Sequence, residues 1–159
     1  MTRRDLLQAA LAAIGTNWLA GCAAGPPTLA YDVDECAFCR MTISDRRFGA
    51  AARSATGRTV RFDSIECLAG WVEAEPAAPR ALWVTDAMVP GVLVPISTVR
   101  FHRAPPGTSP MGRGYLAVTS TRGATAWDGE RLSWAEIRRE VAGAGVRVAP
   151  DTAPAHGGH

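Results

Sequence analysis

The sequence predicts an α+β fold, two ββαβ units packed into one compact domain. Short runs of β-branched and aromatic residues are separated by Gly- and Pro-rich turns, which marks strands. Two amphipathic stretches follow helix-start signals, one after Asp63-Ser64 and one after Ser133. The order strand, strand, helix, strand can be read twice along the chain. The two halves share negligible sequence identity, so the repeat is one of topology.

In the first unit, residues 32–89, Arg47 to Arg53 has strand character and Ala55-Thr56-Gly57 signals a turn. Thr59-Val60-Arg61-Phe62 alternates like a strand, so the two runs predict a hairpin. Asp63-Ser64 then caps a helix whose Ile65, Leu68, Ala69 and Val72 share one face, with Asp63 itself read as a cap. Pro76 and Pro79 end the helix, and residues 81–85 form a strand. In the second unit, residues 90–149, strands are expected over 92–97, 99–103 and 115–119, with a Pro-rich loop over 105–110. Ser133 and Glu136 have the spacing of a capping box for a helix over 134–141, and 146–148 is a last short strand. Trp71, Trp83, Trp127 and Trp134 are expected as core or near-core anchors. The Pro/Gly-rich tail, 150–159, is expected to be flexible, with His156 and His159 assigned no role.

The first twenty-two residues read as an address. Arg3-Arg4 precedes an apolar run from Leu6 to Ala20, shorter than the about 20 residues a membrane span needs. Residues 1–21 are therefore expected to be a signal peptide. Thr2-Arg3-Arg4-Asp5-Leu6-Leu7 resembles a twin-arginine export signal, although a Sec signal also accommodates two arginines. Leu19-Ala20-Gly21-Cys22 resembles a bacterial lipobox, which makes Cys22 the lipidated residue and 22–31 a tether. Ala23 rather than Asp follows Cys22, which implies anchoring in the outer membrane, on its periplasmic side.

Composition narrows the function. The chain carries a formal charge of +2, all of its cations are arginines, and there is no basic stripe interleaved with aromatics, which argues against nucleic acid as a partner. Apart from Cys22 the cysteines are Cys36, Cys39 and Cys67. An odd number in an oxidising compartment implies a free thiol or a metal ligand.

The most telling motif is Cys36-Ala37-Phe38-Cys39-Arg40-Met41. A Cys-x-x-Cys alone is compatible with a redox couple, a disulfide or half a zinc site. The added thioether turns the chemistry toward soft Cu(I), for which Met sulfur is a good ligand. Zinc lacks the second Cys-x-x-Cys that a closed site would use.

The Cys-x-Phe-Cys-x-Met stretch behind a lipobox resembles the NosL family, lipid-anchored copper chaperones of nitrous oxide reductase maturation. Val60-Arg61-Phe62-Asp63-Ser64-Ile65, Trp83-Val84-Thr85-Asp86 and Ser109-Pro110-Met111-Gly112-Arg113-Gly114-Tyr115-Leu116-Ala117-Val118 fit the same pattern, so the resemblance spans residues 31–142. It implies two packed ββαβ units and delivery of Cu(I) to an apo copper enzyme, nitrous oxide reductase with its assembly machinery, without catalysis.

Cys39 and Met41 are the first candidate ligands, because residues i and i+2 of an extended segment point the same way and because the family's Cys-x-Met matches them. Cys36 is a third ligand, a ligand used during transfer, or a redox partner of Cys39. Met111, held between Pro110 and Gly112, is read as a remote ligand or as core packing. His102 faces away from Val99, Phe101 and Arg103 on its strand, and offers an imidazole. Cys67, four residues before Trp71, is expected to be a buried small apolar residue, and Met88 simple loop packing. The rival function is a thiol-disulfide oxidoreductase using Cys36 and Cys39. That chemistry favours a couple at a helix N-terminus, where the thiol pKa falls.

Overall fold

The computed structural model of the chain describes residues 25–119 and 129–145. The lipobox with Cys22, the signal segment, Trp127, the 146–148 strand and the tail lie outside the described residues.

Gly57, at a φ of +89°, supplies the left-handed turn residue between the first two strands. The turn is closed by Ser54, whose N–H donates to Arg58 O at 2.9 Å and whose hydroxyl accepts from Arg58 N at 3.0 Å. β1 (Ala50–Arg53) and β2 (Thr59–Phe62) thus form the expected antiparallel hairpin. β3 (Ala81–Thr85) pairs with the other edge of β1, and β4 (Leu93–Pro95) with β3, giving the order β2-β1-β3-β4. Alternation sorts the faces: Ala50, Ala52, Val60, Phe62 and Val84 enter the main core, while Ala51, Trp83 and Leu93 form a small cluster behind the sheet.

Against the inner face lies α1 (Ile65–Ala74). Its N-cap is Ser64, whose Oγ accepts from Cys67 N at 3.3 Å. Asp63, expected to cap, instead sits one residue before the cap, buried. The helix ends at Glu75, which the following Pro76 holds in an extended conformation. Burial runs unbroken through Ile65–Trp71, Glu66 included, wider than the single apolar face the periodicity predicts. The reason is that α1 is covered on several sides: it also touches β6 and packs along the second helix.

The second sheet has the order β6-β5-β7, with β5 (Val99–Arg103) between β6 (Tyr115–Thr119) and β7 (Arg131–Leu132). α2 (Trp134–Gly143) begins with the predicted capping box, Ser133 and Glu136 each bonding the other's backbone. It buries Ile137 and Val141, ties to α1 through Arg138 and Glu73 at 2.5 Å, and stacks Trp134 on Phe101 at 5.9 Å between centroids.

Residues of both sheets and both helices meet in one core, as the α+β class requires. The first unit has the expected strand, strand, helix, strand order, while the division into two such units is not confirmed among the described residues. The 92–97 stretch divides into β4, which joins the first sheet, and a 3₁₀ turn at Ile96–Thr98. The two-residue β7 was not foreseen. From Leu29 on, the segment read as a tether is packed: Leu29 and Tyr31 lie on the core. No helix among the described residues is long and apolar enough to cross a membrane.

Candidate metal centre

The cysteine motif folds as a closed loop rather than a helix start. A bridge between Glu35 and Thr42 brings its ends together. Cys36 N–H donates to Met41 O at 2.8 Å, and Arg40 N–H returns to Cys36 O at 3.0 Å. The reversal needs a left-handed residue, and Arg40 takes that role at a φ of +66° despite its side chain.

Two contacts dock the loop. Ala37 N–H donates to Arg61 O of β2 at 2.9 Å. Phe38, 1 % exposed, presses its ring onto α1 at Gly70, where no side chain stands in the way. The docking places Cys36 and Cys39 against Cys67, one turn before Gly70. The three sulfurs lie within 4.8 Å of one another. All three are free thiols; Cys36 and Cys67 are fully buried and Cys39 is partly exposed.

The electrostatics of the cluster are those of one easy ionisation followed by two hard ones. The Cys39 and Cys67 thiols point hydrogen bonds at Cys36 and draw its pKa far below the usual thiol range, with help from the Cys39 and Asp63 backbone N–H groups. The same sharing with Cys36 pushes Cys39 and Cys67 up, and burial adds to this. A second thiolate would place like charges side by side in a poorly hydrated site. A cation among the sulfurs removes that obstacle. A metal bonded at about 2.3 Å to three sulfurs would set them about 4 Å apart, which lies inside the 4.8 Å that bounds the sulfur separations.

The other candidates divide. Met41 is 52 % exposed, two residues beyond Cys39. Met111, like Cys39, is partly buried against the large core cluster that includes Cys36 and Cys67. His102 is buried, but it pairs across the sheet with Leu116, which belongs to a separate small cluster with Phe48 and Ala104. Phe101, its neighbour, faces the main core. His102 is therefore on the opposite face of β5 and outside the three-thiol group. Neither of its ring nitrogens has a hydrogen-bond partner among the described residues, and burial lowers its pKa.

Cys67 is the residue that sequence reasoning missed. Its burial was foreseen, but not that two other thiols would be its neighbours. The odd cysteine count was the available signal.

The chain matches no family model, and no curated protein or solved structure matches it significantly.

Proposed function

We propose that Cys36, Cys39 and Cys67 hold Cu(I), and that the protein carries this ion to a copper enzyme. The observation that supports the reading is the three-thiol cluster with two buried members and one partly exposed. Three soft thiolates suit Cu(I), whereas structural zinc takes four ligands. Cys39 gives an acceptor's sulfur or nitrogen a side from which to attack, so the metal can leave by ligand exchange while the buried pair still holds it. Met41, two residues past Cys39 and 52 % exposed, would offer a further soft donor to an ion leaving the cluster.

The destination rests on the resemblance to the NosL family: nitrous oxide reductase as acceptor, a lipid anchor at Cys22, and a periplasmic setting. The oxidoreductase alternative fits less well. Its couple is favoured at a helix N-terminus, while Cys36 and Cys39 lie in a loop, and the thiol with the lowered pKa, Cys36, is fully buried whereas the partly exposed Cys39 has a raised one.

The test is anaerobic titration of the reduced protein with Cu(I) against a competing chelator, followed by mixing with apo nitrous oxide reductase. The expected result is one Cu(I) per chain and passage of that copper to the enzyme. Turnover of a disulfide substrate without stoichiometric Cu(I) binding would falsify the chaperone reading.

A further inference from the structure

Beside Cys67 in α1 stands Glu66, 1 % exposed in the heart of the domain. Its Oε1 accepts the Ser109 hydroxyl at 2.5 Å, and its Oε2 has no hydrogen-bond partner among the described residues. A half-satisfied carboxyl group in an apolar core is a cost to folding. What it obtains is a connection: Ser109 opens the Ser-Pro-Met-Gly stretch, and its Oγ also accepts from Gly114 N at 2.9 Å. Among the described residues, the backbone hydrogen bonds of the loop between β5 and β6 stay within the loop and its strand ends, as in Gly107 N–H to Gly112 O, Gly112 N–H to Ser109 O and Ala104 N–H to Gly114 O. Met111 lies two residues past Ser109 and, like Cys39, is partly buried against the large core cluster that includes Cys36 and Cys67.

We propose that the Glu66–Ser109 hydrogen bond is a clasp that positions the Met111 loop against the three-thiol centre and so sets how long bound Cu(I) is retained. The proposal rests on the copper reading above. Glu66 and Ser109 are positioning residues: neither supplies a ligand. Fixing the loop before the metal arrives spares the ordering cost that a mobile thioether would incur on binding. With the clasp open, Met111 withdraws and the ion is exposed to exchange.

The double variant Glu66→Leu/Ser109→Ala replaces both partners by apolar groups but also removes the acceptor of Gly114 N–H, so Glu66→Leu alone, which leaves that bond in place, is measured beside it and should show the same direction of change. Glu66→Gln keeps an acceptor for Ser109 and serves as the conservative variant. Amide exchange at Gly107 and Gly112 is measured in the metal-free proteins, and Cu(I) release to a chelator in the loaded ones. The double variant should exchange those amides faster and release Cu(I) about ten- to a hundredfold faster, the usual effect of losing an outer-shell partner. Glu66→Gln should release it at the wild-type rate, and a Met111→Leu background should abolish the difference between clasped and unclasped proteins. Unchanged amide exchange overturns the clasp whatever the metal does. Faster exchange with unchanged release overturns its role in retention, and acceleration persisting without Met111 overturns the route through that residue. Wild-type protein that takes up no Cu(I) overturns the copper reading and the clasp's function with it.

Discussion

The Phe38 ring occupies the space that the missing side chain of Gly70 leaves on α1: a Cβ there would overlap three ring carbons, two of them at 2.8 and 2.9 Å. Phe38 belongs to the Cys36–Cys39 loop and Gly70 to the helix of Cys67, so this contact, together with the Ala37 N–H bond to Arg61 O, holds the loop against the helix that carries the third thiol. Gly70→Ala should push the ring and its loop away from the helix. We predict a stability loss of about 1–3 kcal/mol, typical of overpacking, read by urea unfolding. Cu(I) affinity should fall in the same protein, and adding Phe38→Leu should restore part of both. Wild-type affinity in a destabilised Gly70→Ala protein would show that the contact matters to the fold alone.

Removing each candidate ligand in turn separates the site from its surroundings. Cys67→Ala should lower Cu(I) affinity by more than the about 10–100-fold expected for an outer-shell change, because a sulfur of the cluster is lost. His102→Ala should leave the affinity unchanged, since the imidazole lies on the opposite face of β5. Chelator competition measures both. Equal affinities for wild type and Cys67→Ala would reduce the site to the Cys-x-x-Cys loop.

Much of the scaffold was legible because local signals decided it. Gly57 announced the hairpin, Ser64 and Ser133 the helix starts, and Pro76 the end of α1. Partner choice was not legible. Residues 92–97 have strand composition whichever sheet they join, and only the free edge of β3 decided that Leu93–Pro95 pairs there. The site divided along the same line. Cys36 and Cys39 are neighbours in sequence and were readable as a pair. Cys67 reaches them only through a helix whose period says "buried" but not "beside what", and Gly70 reads as a weak helix residue until the Phe38 ring is seen against it. His102 was correctly placed on the face opposite Phe101, yet which face would front the thiols depended on the packing of two sheets.

Metal uptake should be coupled to protons. Sharing with Cys36 raises the Cys39 and Cys67 pKa values, so both remain protonated at neutral pH in the metal-free protein. Cu(I) must displace those protons, and mass action then makes binding tighter as pH rises and weaker as it falls. Titrations in weakly buffered solution should record acid release on loading, and chelator competition at pH 6 and pH 8 should give the tighter binding at pH 8. Affinity independent of pH with no proton release would mean that the thiols are already ionised, against the electrostatics of the cluster.

Asp63 should leave its own mark on the stability of the metal-free protein. It is buried, its Oδ1 lacks a hydrogen-bond partner among the described residues, and burial, followed by the nearby charge of Cys36, raises its pKa from 3.8 to about 6. A carboxyl group with a folded-state pKa above its unfolded value binds more protons when folded. Its contribution to stability therefore falls as pH rises from about 4 to about 6, and the full penalty remains above that. Asp45, Glu136 and Glu140 have lowered pKa values and act in the opposite sense, so the raw pH profile mixes both effects. The difference between wild type and Asp63→Asn isolates the one group. Urea unfolding across pH 4–7 should show the variant gaining on wild type with rising pH, by on the order of 2–3 kcal/mol at most. In a Cys36→Ser background the gain should shrink, because the charge facing the carboxylate is gone. A constant difference between Asp63→Asn and wild type across that range would mean that Asp63 ionises in the fold as it does in water.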